Sequence, residues 1–196
     1  IRLGEDGLLL RFGDGIAADT NARVHALAAR IDADRPGWLR DLVPGYASLA
    51  LFVDADASGK DEDPLAGAER WIEGLSETRA ADLSGQSRLH EIGVRYGGEH
   101  GPDLDAVAEH SGLSPRGVIQ LHAAREYRVA MLGFAPGFPY LLGLDPRLAT
   151  PRLATPRQRV EAGSVGIGGA QAGIYPHSRP GGWRIIGRPH VVLFDP

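Results

Sequence analysis

Apolar residues recur with two periods in the first half of the chain and with neither in much of the second. Leu8-Leu-Leu-Arg-Phe12 is a short apolar run closed by Gly13-Asp-Gly15, which predicts a strand. Val24, Leu27, Ala28 and Ile31 then share one face at helical spacing, and Asn21 is expected to cap that helix. Leu39 to Val43 reads as a strand stopped by Pro44-Gly45. Over Ser48 to Val53, Leu49, Leu51 and Val53 alternate with Ala50 and Phe52, the period-2 pattern of a strand with one buried side. Asp54 to Asp63 reads as a polar loop. Asp63-Pro64 is a cap followed by proline at the first helical position, opening a helix with Leu65, Ala68, Trp71, Ile72 and Leu75 on one side. Leu89 to Tyr96 returns to strand. The order is β-α-β-β-α-β, the ferredoxin-like arrangement.

Gly97-Gly98 and Gly101-Pro102 mark a boundary, so residues 1–96 and 97–196 are read as two domains. Asp103 to His110 and Pro115 to Arg125 are two short helices, the second opened by Ser114-Pro115. Beyond Tyr127 the strands are short: Tyr127–Phe134, Ser164–Ile167, Gly173–Tyr175, Trp183–Ile186 and Val191–Phe194. Frequent turns between them predict a compact β-barrel or sandwich with peripheral helices, an α+β chain overall.

The region 133–188 carries most of the chemistry. It contains Gly133-Phe-Ala-Pro-Gly-Phe-Pro-Tyr140 and a tandem repeat, Leu148-Ala-Thr-Pro-Arg152 followed by Leu153-Ala-Thr-Pro-Arg157. Gly163-Ser-Val-Gly-Ile-Gly-Gly-Ala-Gln-Ala-Gly-Ile-Tyr-Pro176 and Pro180-Gly-Gly-Trp-Arg184 complete it. Proline fixes its own φ and pushes the preceding residue extended, so Arg152 and Arg157 stand on stiff backbone. A guanidinium there is either an anion clamp for carboxylate or phosphate, or a surface arginine on a loop. Phe134, Phe138 and Tyr140 around two prolines form either a groove or partner surface, or part of a core.

Composition narrows the chemistry. The chain has 196 residues, no cysteine and one lysine, Lys60. Disulfides, thiolate metal ligands and cysteine nucleophiles are excluded. Residues 128–196 hold eight arginines against Asp145, Glu161 and Asp195, within a chain of net charge −4, so the last part is basic and the first acidic. A basic module suits an anionic ligand. No apolar run approaches the roughly 20 residues that span a bilayer, and no charged-then-apolar leader is read, so no membrane association and a cytoplasmic location are expected.

Complete catalytic signatures are absent. Gly59-Lys60 lacks the rest of a phosphate loop, and no His-Glu-x-x-His stands in the chain. The scattered histidines predict no metal site. Ala162-Gly-Ser-Val-Gly166 is a degenerate nucleophile elbow without its helix, leaving Ser164 as a loop hydrogen-bonder or a turn serine. Residues 104–122 imitate a helix-turn-helix, but Asp103, Asp105 and Glu109 load it with the wrong charge, so no nucleic-acid partner is expected.

Taken with Val43-Pro-Gly-Tyr-Ala-Ser48, Tyr96-Gly-Gly-Glu99, Gly101-Pro-Asp-Leu104, His122 and Glu126-Tyr127, the 133–188 motifs give the chain a recognisable pattern. It resembles the KipI/PxpB family, also labelled allophanate hydrolase subunit 1, over nearly its whole length. The resemblance implies an N-terminal ferredoxin-like domain and a C-terminal cyclophilin-like β-barrel. It also implies a subunit 2 (PxpC) partner, a third subunit (PxpA), and ATP-dependent opening of 5-oxo-L-proline to L-glutamate. Other readings it carries are a KipI-like inhibitor of a sensor histidine kinase and a carboxyltransferase half-module of a urea carboxylase. An amidase of the Ser-Ser-Lys kind would need a lysine beyond Lys60. Relatives run on past the position of Pro196, so a groove built partly by such a tail would be incomplete.

On this reading Arg152 and Arg157 are anion clamps, with Gln171, Ser164 and Tyr175 as orienting hydrogen-bonders. His122 is the candidate general acid or base, because an unperturbed histidine titrates near neutrality. Phe134, Phe138 and Trp183 wall a small-molecule pocket. ATP is bound somewhere in the complex, with no phosphate loop in this chain.

Overall fold

The structure, a computed structural model, describes residues 1–54, 63–75 and 88–190. Lys60 and the strand expected over Val191–Phe194 lie outside the described residues, as does most of the polar loop expected over 54–63. The chain forms two compact units, Ile1–Arg88 and Leu89–Pro196.

The first unit is a four-stranded antiparallel sheet carrying two helices. Its elements are β1 (Arg2–Leu3), β2 (Gly7–Arg11), α1 (Ala18–Ala33), β3 (Leu39–Pro44), β4 (Ser48–Val53) and α2 (Pro64–Glu73). The sheet order is β1-β2-β4-β3. Alternation in β4 works as the sequence predicts: Leu49, Leu51 and Val53 are buried, while Ser48, Ala50 and Phe52 are half-buried. Leu49 and Leu51 pack against Val24, Ala28 and Ile31 of α1. Asp63 caps α2 by accepting from the Leu65 N–H at 3.0 Å. Asn21 is not the cap of α1, which begins three residues earlier. Its side chain is buried and donates to the carbonyls of Gly45 and Tyr46 at 3.1 and 3.2 Å, so it ties the helix to the β3–β4 turn. A buried amide with two carbonyl acceptors loses nothing by forgoing the cap.

The strand expected to close this sheet joins the other unit. Only Val94–Tyr96 of it is strand, β5, and it pairs with β12 (Arg184–Pro189). The second unit continues with α3 (Leu104–Ser111), α4 (Pro115–Ala123), β6 (Arg128–Leu132), β7 (Pro139–Leu142), β8 (Arg157–Val160), β9 (Val165–Gly168), β10 (Gln171–Ile174) and β11 (Arg179–Gly181). One sheet has the order β5-β12-β9-β10-β7-β6, and β8 pairs with β11 as a separate ribbon. Among the described residues no barrel closes: β5 and β6 remain the two edges of an open sheet. The expected closed barrel is in this respect corrected.

The sheet has two unlike faces. On β9, Val165 and Ile167 turn toward α3 and α4 and bury with Val107, Val118, Leu148 and Ile186. The alternate positions, Gly166 and Gly168, turn toward Trp183, which lies among Phe138, Tyr175, Val160 and Ile185. A β-carbon at Gly168 would stand 2.6 Å from the Trp183 ring, and one at Gly173 2.9 Å from Phe138. At Gly181 it would fall on the Tyr175 hydroxyl. These glycines are vacancies into which aromatic rings fit, so the density of glycine here reflects ring packing as much as turn-making.

Gly168→Ala is therefore expected to destabilise the second unit by about 1–3 kcal/mol through overpacking. Hydrogen exchange at the β9 amides should quicken accordingly, while exchange in β4 stays unchanged.

Candidate functional site

The two Thr-Pro-Arg units are identical in sequence and unlike in structure. In the first, Leu148 and Thr150 are buried, and Thr150 bridges Gly169 through a pair of backbone hydrogen bonds of 3.2 and 2.8 Å. The Pro151 carbonyl accepts from Arg184 Nε at 3.2 Å, and the Leu153 N–H donates to Gly182 at 2.7 Å. Arg152 is thus held by its neighbours on both sides, as the proline argument predicts. Its guanidinium lies 5.5 Å from the centroid of a Trp183 ring, and Nη2 donates to Gln171 Oε1 at 3.2 Å. With Oε1 taken, the Gln171 amide keeps its N–H groups for another acceptor. Arg152, Gln171 and Trp183, three of the residues proposed from sequence, meet on one face.

Arg157, from the second repeat, turns elsewhere. Its Nη2 pairs with the buried carboxylate of Asp103 at 2.7 Å, and Asp103 also accepts the Ile185 N–H at 2.7 Å. Nη1 is buried without a partner among the described residues. This pair joins the start of α3 to β12 and β8, and Asp103 neutralises the charge. The sequence places Asp103 in an acidic helix and in the Gly101-Pro-Asp-Leu104 motif, with no sign of Arg157 as its partner.

The aromatics divide. Phe138 is 1% exposed, Tyr175 1% and Trp183 5%, with Phe138 centred 5.3 Å from Tyr175 and 5.5 Å from Trp183 in edge-on contacts. They are core rings under the face rather than walls of an open pocket. Burial pushes the Tyr175 hydroxyl above its ordinary pKa. Phe134 alone projects, 54% exposed, with a left-handed φ of 63°. Ser164 is buried in the turn before β9, its carbonyl accepting the Tyr175 N–H at 2.9 Å.

His122 sits apart. It lies on α4, which packs on the Val165 and Ile167 side of the sheet, opposite Trp183. Its Nδ1 is 2.8 Å from the Tyr96 hydroxyl, and its backbone carbonyl accepts from the Tyr127 hydroxyl at 3.2 Å. Burial lowers its pKa to about 4 and raises that of Tyr96 to about 12, so both are neutral at pH 7. No contact joins His122 to Arg152 or Gln171.

The face is open. A cavity of about 250 Å³ lies in the first unit among Leu9, Arg11, Asp14, Tyr46 and Ser48, far in sequence from these groups. Among the described residues no cluster of three or more histidines and carboxylates is placed to hold a metal, and no helix is long and apolar enough to cross a membrane.

The family model described as "Carboxyltransferase domain, subdomain C and D" matches residues 1–196. The chain belongs to this family. It is 43% identical over 201 residues to a protein of Bacillus subtilis (strain 168) named as a 5-oxoprolinase subunit, covering 100% of this chain and 83% of that protein. The crystal structure of TTHA0988 superposes with a TM-score of 0.80 at 40% identity over 96% of this chain, which spans only 36% of that longer chain. The Kluyveromyces lactis urea carboxylase shares the fold, with a TM-score of 0.68 at 16% identity over 96% of this chain and 18% of that one. The matches agree with the KipI/PxpB resemblance read from the motifs.

Two outcomes follow from the geometry. Removing the Asp103 charge leaves the half-buried Arg157 without its carboxylate, so Asp103→Asn should lower the second unit's stability by about 1–3 kcal/mol, read by urea titration. His122 has a folded pKa below its unfolded value of about 6.5. Its contribution is complete above pH 6.5 and is lost as pH falls toward 4, when the unfolded chain takes a proton the native one refuses. That loss is on the order of 3 kcal/mol. The stability difference between the native protein and His122→Asn should shrink by that amount between pH 7 and pH 4, and a pH-independent difference would contradict the assignment.

Proposed function

We propose that this chain is the PxpB-type component of a 5-oxoprolinase, a non-autonomous part of a hydrolase acting on a cyclic amide. The observation that carries the reading is the match along the whole chain to proteins named as 5-oxoprolinase subunits. The site chemistry supports it. A lactam carbonyl is unreactive, and hydrolysis loads negative charge onto its oxygen as water adds. Fixed donors stabilise such charge best when their orientation is set beforehand. Arg152, pinned through Thr150, Pro151 and Leu153, and the free amide hydrogens of Gln171 are donors of that kind. Trp183 holds the guanidinium from below without neutralising it.

The openness of the face supports a shared site, completed by a PxpC-type subunit with a PxpA-type third member. ATP would activate the lactam oxygen, bound with the help of those partners. In this proposal the first unit keeps the βαββα part of a ferredoxin-like layout, and the second is an opened relative of the cyclophilin-like barrel. Arg157 acts through structure, since Asp103 occupies it. Tyr175, Phe138 and Ser164 support the face from beneath. His122 is a neutral core group in this scheme and moves no proton.

The test is reconstitution with the neighbouring subunits, followed by glutamate release from 5-oxoproline and ATP. Arg152→Ala should weaken kcat/KM about 10- to 100-fold, the loss of one charge-assisted hydrogen bond. No glutamate from a complete complex would overturn the functional reading.

A further inference from the structure

In the second unit four arginines are neutralised by carboxylates. Arg125, Arg147, Arg157 and Arg159 each meet a carboxylate at 3.0 Å or less. Arg152 and Arg179 meet none among the described residues, and each lies on an aromatic ring instead. The guanidinium carbon of Arg179 stands 4.1 Å from the Phe134 centroid, close enough for full stacking. Its Nε is buried and has no hydrogen-bond partner. A ring fixes a cation's position while leaving its charge and its N–H donors for something else.

The support beneath Arg179 is strained. Phe134 is the one non-glycine residue with a left-handed φ among the described residues. It is held there by a tight loop: the Ala135 N–H donates to Gly133, the Phe138 N–H to Ala135, and the Gly133 N–H to Phe138. An aromatic side chain in this region costs free energy that burial does not repay here, because half the ring is in solvent. The ring's contacts are the Phe138 edge at 5.3 Å, the Tyr175 edge at 6.4 Å, and Arg179. The loop therefore sacrifices backbone comfort to put a ring under a guanidinium.

Arg152 and Arg179 flank one continuous aromatic bed, from Trp183 through Phe138 to Phe134. We propose that Arg179, stacked on Phe134, is a second anion subsite of the Arg152 face, taking carboxylate or phosphate oxygens. Phe134 is its positioning residue. This rests on the 5-oxoprolinase reading, whose two substrates both carry such oxygens.

The experiment uses the reconstituted complex with Arg179→Gln, Arg179→Lys and Phe134→Gly. Arg179→Gln should raise the KM of one substrate at least tenfold, with kcat within twofold and the other KM unmoved. A shifted KM for 5-oxoproline identifies the carboxylate as the occupant; a shifted KM for ATP identifies phosphate. Arg179→Lys, a point charge without the planar fork, should recover part of the loss. Phe134→Gly relieves the left-handed backbone, so it should raise the same KM while the melting temperature holds or rises; a purely structural role would move the two together. Both KM values within twofold of the native protein in Arg179→Gln would overturn the subsite. If the complex releases no glutamate, the functional reading fails, and the subsite is then decided by calorimetric titration with ATP and with 5-oxoproline. Tenfold weaker binding of either in Arg179→Gln supports it; equal affinities overturn it.

Discussion

The second unit is organised around one steric fit, the Trp183 indole laid against the glycine side of β9. Gly166 and Gly168 leave no room for side chains on that side, and the ring occupies the space. The opposite side of the same four residues places Val165 and Ile167 in the helix-facing core. A strand alternating large and absent side chains therefore packs helices on one face and aromatic rings on the other. Phe138 over Gly173 and Tyr175 over Gly181 repeat the device. The resulting ring cluster is stiff, because each member meets the next edge-on at 5.3 to 5.5 Å.

That stiffness reaches the functional face directly. Arg152 rests on Trp183, and Arg179 rests on Phe134, which contacts Phe138. The cations sit on quadrupoles rather than beside carboxylates, and their charge is not cancelled in advance. Arg157 shows the other outcome. It has the same pentad before it as Arg152, yet Asp103 takes its guanidinium into a structural bond that also fixes the Ile185 N–H. Two copies of one sequence unit thus supply an arginine stacked on a ring and an arginine braced by a carboxylate. What separates them is whether a ring or a carboxylate waits at the end of the side chain.

The sequence showed local structure far better than partnership. β4, α2 with its Asp63 cap, and α4 with its Ser114 cap all stand where periodicity and capping residues put them. The stiffness of Arg152 was likewise readable from Thr150-Pro151. Leu89 to Tyr96 looked like the last strand of the first sheet, because a three-residue apolar strand carries no label for which sheet it joins. Its pairing with β12 is a contact across about 90 residues, invisible to local pattern. β7, β8 and β11 were passed over because proline and arginine dilute their apolar pattern. Nothing local marks Asp103 as buried, because its partner Arg157 stands 54 positions away. Identical repeats also implied identical roles, and nothing within five residues distinguishes the two.

His122 marks the limit of reasoning from residue type. Histidine invites an acid–base role because its ordinary pKa lies near neutrality. Here the ring is inside the helical layer, bonded to the Tyr96 hydroxyl and held neutral by burial. A group that resists protonation until about pH 4 and lacks an open path to the face cannot serve a reaction on the far side of the sheet. The Arg152 face carries arginines, an amide and rings, all suited to binding charge and stabilising it as it develops. An enzyme that opens a lactam needs proton transfer as well. On the proposed reading charge binding falls to Arg152 and Gln171, and His122 is not placed beside them to move the proton.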